Sequence, residues 1–251
     1  MLDLSFDNIT QWVCIAIAGL CLGFSKAGIP TVGTASIPFL IVFFNPKDFT
    51  GITLPLLFLG DALAVSYYYK DVPLKILRQL IPVIAIGLYC GYLMLKHLPG
   101  DLWILKFIGY ILLVLLALRC LSCNAKINEL MGKNISGGIL IFISALTTTV
   151  AHAGGPFMAI YFQTKNLNKR AFLGLYATTF LLINAVKLPI YIGQSMVRSE
   201  TLLYSLWGVP FIFIGSRVGK TLVNYVSQKT FDITIVTLIF VAAIRLIFKT
   251  I

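Results

Sequence analysis

Lys26-Ala27-Gly28-Ile29-Pro30 in the first half of the chain is matched in the second by His152-Ala153-Gly154-Gly155-Pro156, a basic residue followed by Ala-Gly-x-Pro. Each is followed by another shared pattern, Pro82-x-Ile84-x-Ile86-Gly87-x3-Gly91 and Pro210-x-Ile212-x-Ile214-Gly215-x3-Gly219. Pro30 to Pro82 is 52 positions and Pro156 to Pro210 is 54. Two motifs in one order at nearly one interval mark a duplicated unit. Helix-breaking Gly and Pro at corresponding places in two hydrophobic halves point to a binding site within the membrane.

Composition sets the solvent. The 251 residues are 59% hydrophobic and 12% charged, with a mean hydropathy of +0.93. Soluble domains carry roughly 25% charged residues, so the chain is a polytopic membrane protein. Its net charge of +11 would suggest nucleic acid in a soluble protein. Here the basic residues fall mostly in short loops, where they orient spans and meet anionic lipid, and no nucleic-acid partner is expected. Residues 1–10 contain Asp3 and Asp7 but no Lys or Arg, unlike a cleaved signal peptide, so the first apolar segment is expected to be retained. Among the five cysteines, Cys120-x-x-Cys123 has no second pair to complete a zinc site, and neither metal nor cofactor is expected.

A spanning helix needs about 20 apolar residues. Segments 50–70, 75–95, 102–121, 170–193, 201–222 and 230–248 meet that requirement. Regions 9–44 and 135–164 are apolar but interrupted by Ala-Gly-x-Pro, which predicts a re-entrant hairpin or a helix pair broken within the membrane. Either form returns the chain to its starting side. Three further crossings follow in each half, so the halves have opposite orientations. The expected architecture is all-α, an inverted repeat of residues 1–121 and 135–251 joined by a cytoplasmic linker at 122–134.

Twelve basic residues collect on one predicted side: Lys70, Lys75, Arg78, Arg119, Lys126, Lys133, Lys165, Lys169, Arg170, Arg217, Lys220 and Lys229. Six collect on the other: Lys47, Lys96, Lys106, Arg198, Arg245 and Lys249. Positive residues favour the cytoplasm, which places both termini outside in a multi-pass cell-membrane protein. Tyr67, Tyr68 and Tyr69 read as an interfacial aromatic anchor on the cytoplasmic side.

Lys26, Asp61, His152 and Lys187 remain at membrane depth. An ionisable group there costs at least ~2.5 kcal/mol and is a functional candidate by default. Three potentially cationic groups against one carboxylate leave a site in need of an anion. Pro30 and Pro156 suit the first turn of a helix, so the second arms would aim free N–H groups and positive dipole ends into the membrane. Gly28, Gly154 and Gly155 would admit a ligand close to the backbone, with Thr31 and Thr34 as hydroxyl donors. The competing readings are structural. Lys26 and His152 also suit the neutralisation of helix C-termini, and Lys187 suits a salt bridge with Asp61. A gapless alignment from Phe49-x-Gly51 and Phe172-x-Gly174 sets Asp61 opposite Asn184, three residues before Lys187. Thr147-Thr148-Thr149 can line a cavity or bond its own helix, and the paired glycines 87/91 and 215/219 suit close helix packing.

These residues together resemble the TauE/SafE family of sulfite exporters and anion permeases, along essentially the whole chain. The resemblance is carried by Gly23-x2-Lys26-x-Gly28, Pro38, Asp61 and Tyr69 in the first half. In the second half it is carried by Ala151-His152-Ala153-Gly154-Gly155-Pro156, Gly174 and Asn184-x2-Lys187-x-Pro189. Members often have additional glycines where this chain reads Ile29-Pro30-Thr31-Val32-Gly33-Thr34. The resemblance implies export of small sulfur-containing anions such as sulfite or organosulfonates. On this reading Lys26 and Lys187 offset substrate charge, the hairpin tips donate N–H groups and Asn184 orients an oxygen. Asp61 or His152 couples a proton. No Walker sequence is present to drive transport by ATP hydrolysis. A passive anion channel or uniporter is the first alternative and a membrane-embedded enzyme the second. Homo-oligomerisation is left open by the sequence.

Overall fold

The computed structural model describes residues 9–28, 43–97, 134–165 and 167–222, with isolated positions between 32 and 40 and between 103 and 117. Helices α1 (Ile9–Ala27), α2 (Pro46–Tyr68), α3 (Leu74–His97), α4 (Asn134–Ala151), α5 (Gly155–Gln163), α6 (Lys169–Gly193) and α7 (Ser199–Leu222) run through the described residues, with no strand among them. Pro30, Thr31 and Thr34, segment 230–248, the linker up to residue 133, Cys120 and Cys123 lie outside those residues. So does segment 102–121, apart from isolated positions.

Local sequence explains the helix starts. Asn45 caps α2, its side-chain oxygen accepting from Asp48 N at 2.9 Å, and Pro46 follows in the first turn, where no N–H is needed. Asn168 caps α6 in the same way, accepting from Ala171 N at 2.8 Å. The Asn45 cap moves the start of the expected 50–70 helix back to Pro46. A short 3-10 turn, Tyr69–Asp71, then passes the chain into α3. α1, α2, α3, α6 and α7 are each long and apolar enough to cross a bilayer, and α4 is a shorter apolar helix. In a membrane the apolar surface around such helices faces lipid, and their backbone polar groups are satisfied along the helix itself.

Glycine seams fix how the helices meet. α1 and α7 run side by side in the same direction. Trp12 packs on Tyr204 and Trp207 near their starts, with ring centroids 5.0 and 5.5 Å apart. Further along, Gly19 meets Gly208, Gly23 meets Ile212 and Gly28 meets Gly219. α3 and α4 also run parallel, with Gly87 against Phe142 and Ala145 and Gly91 against Leu146 and Thr149. At Gly23 and Gly87 a Cβ would run into the neighbouring backbone or side chain, so both pairs depend on glycine for their close approach. The two Gly-x3-Gly pairs are therefore packing elements.

Between these pairs α2 and α6 cross antiparallel. Gly51, near the start of α2, lies on the carbonyl of Met196 just beyond α6. Gly174, near the start of α6, lies 2.8 Å (from its would-be Cβ) from the carbonyl of Tyr68 at the end of α2. Ion pairs tie both ends of the crossing. Arg198 Nη2 is 2.6 Å from Asp48 Oδ1 at one end, and Arg170 Nε is 2.9 Å from Asp71 Oδ2 at the other.

The Asp71–Arg170 end holds Lys70, Lys75, Arg78, Lys165, Lys169 and Arg170. α7 brings Lys220 to the same end, its Nζ 4.1 Å from the ring centroid of Tyr67. The neighbouring tyrosines divide. Tyr69 is exposed, whereas Tyr68 is buried and donates its hydroxyl to the carbonyl of Ala27 at 3.0 Å. Tyr68 is thus an internal strut, because the α2 helix turns it inward toward the end of α1.

Candidate functional site

Each motif that opened the sequence reading ends a helix in the protein's interior. Lys26 stands in the last turn of α1, 5% exposed, and places Nζ 2.7 Å from Asp61 Oδ1. The other carboxylate oxygen of Asp61 accepts from Asn184 Nδ2 at 2.8 Å. Lys26 also lies over the ring of Phe180, 4.7 Å from its centroid. The carboxylate of Asp61 therefore takes Lys26, not Lys187, as its ion-pair partner. Two lysines compete for one carboxylate at this depth, and the rotation of α1 and α6 about their axes decides between them.

His152 follows α4 with φ of 53°, the left-handed conformation usual for glycine just past a helix end. That turn redirects the chain into α5. It also sends the imidazole sideways, where Nδ1 lies 2.9 Å from Lys187 Nζ and Nε2 lies 3.0 Å from the carbonyl of Thr50. Lys187 is fully buried, and its Nζ also donates to Thr148 O at 2.7 Å and Asn184 Oδ1 at 3.5 Å. An ammonium has three protons and no lone pair. These three acceptors use all of them, provided His152 is neutral with its proton on Nε2 and donates to Thr50. Asn184 bridges the two systems, accepting from Lys187 and donating to Asp61. A continuous polar chain results, from Lys26 through Asp61, Asn184 and Lys187 to His152. With both lysines charged and one carboxylate to balance them, its net charge is +1.

A cavity of about 30 Å³ opens beside this chain, walled by Lys26, His152, Gly155 and Tyr176, with Ser25, Ser36 and Thr148 adding hydroxyls. It has room for on the order of two waters. Both interrupted regions contribute, Ser36 and Gly33 from the first and Thr148, His152 and Gly155 from the second.

Among the residues expected at a site, Lys26, His152 and Gly155 line this cavity. Asp61, Asn184 and Lys187 form the layer behind it. Gly28 and Gly154 sit at backbone contacts, Gly28 against Gly219 and Gly154 against the carbonyl of Ser144. Thr31 lies outside the described residues. The threonine run divides by side: Thr147 and Thr149 bond back to their own helix, at 2.7 Å each, while Thr148 faces the cavity.

Tyr176, Ser25 and Ser36 were not singled out by the sequence. One signal was available for Tyr176. The 123-residue separation that joins Asp61 to Asn184 also sets Tyr176 opposite Thr53, another cavity residue. The same offset relates Tyr68 to Tyr191, which donates to Thr149 O at 2.7 Å much as Tyr68 donates to Ala27 O.

Apolar helices long enough to cross a bilayer, packed around a buried polar centre, mark an integral membrane protein. The chain belongs to the sulfite exporter TauE/SafE family, whose model matches residues 15–246. Members of this family are anion transporters, so the protein is a membrane transporter rather than an enzyme. Comparisons with curated proteins and with solved structures give no match.

Proposed function

We propose that the protein is a secondary transporter, working as an exporter, that carries a small sulfur-containing anion through the cavity between Lys26, His152 and Gly155. Two buried lysines sharing one carboxylate, Lys26 on the cavity wall and Lys187 in the layer behind it, carry the reading. Burying two cations with one counter-ion costs several kcal/mol in desolvation, and an anion entering the cavity beside Lys26 offsets part of that cost. With room for about two waters, the cavity favours a dehydrated, sulfite-sized anion or a very small sulfonate.

The exchanged packing supports an inverted repeat. α1 lies on α7 as α4 lies on α3, while the counterparts α2 and α6 cross antiparallel. α1 enters from the end holding Asn45 and Arg198, and α4 from the opposite end, which is the relation an inverted repeat requires. The concentration of basic residues at the Asp71–Arg170 end supports placing that end in the cytoplasm of a cell-membrane protein.

Proton coupling follows from the hydrogen bonds of His152. While Nδ1 accepts from Lys187 it has no room for a proton, so protonating His152 requires Lys187 to let go. Such an event adds a positive charge beside the anion and rearranges the wall of its site. Asp61 is the second candidate, since its protonation would release Lys26.

Flux from liposomes containing purified protein, with sulfite and methanesulfonate as test anions, examines this reading. An imposed pH difference at fixed membrane potential is expected to change methanesulfonate flux, and His152→Gln or Asp61→Asn to blunt that change. Methanesulfonate stays ionised throughout, so an unaltered flux would remove the coupling and leave a uniporter. Conductance at channel rates in planar bilayers would replace the carrier altogether.

A further inference from the structure

Three buried tyrosines approach the centre of the described structure, and two have their hydroxyls satisfied by helix carbonyls, Tyr68 at Ala27 and Tyr191 at Thr149. The third, Tyr176, is 3% exposed. Among the described residues its Oη makes no hydrogen bond. The side chain is buried but lines the cavity, so a donor without a protein partner is available there to a molecule inside it.

The ring itself is tightly held. Phe172 stacks on it with planes 13° apart, Phe180 lies 4.7 Å away between centroids and Phe162 meets it edge-on. The hydroxyl is thereby aimed at the start of α5. A methyl group at Gly155, the first residue of that helix, would sit 2.5 Å from Tyr176 Oη. α5 is nine residues long, and Gly154 precedes it with no side chain capping its first N–H groups. Pro156 has no N–H and Met158 N donates to Gly154 O at 3.3 Å, which leaves the N–H groups of Gly155 and Phe157 as the first-turn donors. Gly155, Tyr176 and Lys26 share the cavity wall. On the facing helix, Thr53 occupies the corresponding place but donates its hydroxyl to its own helix at Phe49 O.

We propose that Tyr176 is an anion-binding residue, its hydroxyl and the start of α5 together holding one oxygen of an anion whose charge is met by Lys26. The inference rests on the anion-transport reading and adds to it a specific neutral donor. It also gives Gly155 a definite task. Glycine there leaves the space between helix start and hydroxyl open to a ligand oxygen, and any larger residue closes it.

The test is binding of sulfite and methanesulfonate to the purified full-length protein in detergent, read as the rise in Tm with anion concentration and supported by KM in liposome flux. Tyr176→Phe keeps the ring stack and removes only the oxygen. Affinity for both anions is expected to fall about ten- to hundredfold, as for a lost hydrogen bond to a charged group. The Tm without anion should stay level or rise. Gly155→Ala is expected to weaken binding strongly in the parent and less in a Tyr176→Phe background, where the crowding oxygen is gone. Parental affinity in Tyr176→Phe would overturn the assignment while leaving the transporter reading standing. A fall in Tm without anion would overturn it too, by giving the hydroxyl a structural partner. If the parent protein binds neither anion, the transport reading and this assignment fall together.

Discussion

Asp61→Asn separates the two roles of the buried charges, because it should harm the empty protein and help the bound one. Asparagine keeps the shape and can still accept from Asn184, so packing is preserved and only the negative charge is lost. Lys26, 5% exposed and 2.7 Å from that carboxylate, is then left buried without its counter-ion. Removing one member of a buried pair costs about 3–5 kcal/mol. At about 2–4 °C per kcal/mol for a protein of this size, the Tm without anion should drop by roughly 6–20 °C. Anion binding should move the other way. An anion hydrogen-bonded to Lys26 would sit about 5 Å from Asp61, where repulsion at an effective dielectric of 20 is about 3 kcal/mol. Deleting that repulsion tightens binding by up to about a hundredfold. The assay is the Tm of parent and variant across a methanesulfonate titration. The anion-induced rise should be larger and should begin at lower concentration in Asp61→Asn. Lys26→Met combined with Asp61→Asn should recover much of the lost Tm, since an apolar pair is tolerated where a lone charge is not, and should bind anion poorly. If Asp61→Asn melts like the parent without anion, or shows the same anion affinity, the charge accounting at this site is wrong.

Lys187→Ala should weaken methanesulfonate binding by at least about tenfold, and Lys96→Ala should leave it nearly unchanged, because Lys96 near the end of α3 is screened by water and salt. Equal effects in the same titration would make Lys187 purely structural. Replacing His152, with its φ of 53°, by Gly should give a Tm about 2–4 °C higher than replacing it by Ala, since both lose the imidazole but only Ala keeps the left-handed penalty of about 1 kcal/mol. Gly51→Ala drives a methyl into the carbonyl of Met196 and should destabilise by about 1–3 kcal/mol or reduce folded yield, seen as a lower Tm or early elution in size-exclusion chromatography.

The spans were legible because twenty apolar residues in lipid have few alternatives to a helix. The broken second hairpin was legible because Ala-Gly-Gly-Pro cannot continue one. Helix ends were less so: α2 begins at Pro46 because the Asn45 side chain caps it, a local hydrogen bond that hydropathy does not register. At the centre, sequence identified Lys26, Asp61, His152, Asn184 and Lys187 as residues at one depth, but not their partners. Pairing depends on helix rotation, which a pattern averaging over apolar faces leaves undetermined. The salt bridge weighed for Lys187 with Asp61 is made instead by Lys26. Tyr176 was hidden for a different reason: its ring packs among Phe162, Phe172 and Phe180, and only the aim of one oxygen distinguishes it from the core. The glycines were the converse case, since Gly28 and Gly154 read like ligand contacts but meet neighbouring backbone.

The glycine seams also decide what can move. At Gly23 and Gly215 the backbones of α1 and α7 touch with no intervening side chain to act as a bearing, and Gly87 and Gly91 bring α3 comparably close to α4. Surfaces in such contact have no slack for sliding in small increments, because a partial shift replaces a glycine with a bulkier neighbour. Each seam therefore behaves as a weld. Both welds join a helix from one half of the sequence to a helix from the other, so the mechanical parts of this molecule are not its sequence halves. The α2–α6 crossing fastens the two welded pairs together, closed at its ends by Gly51 and Gly174 and by the two ion pairs, and the polar chain from Lys26 to His152 runs across it.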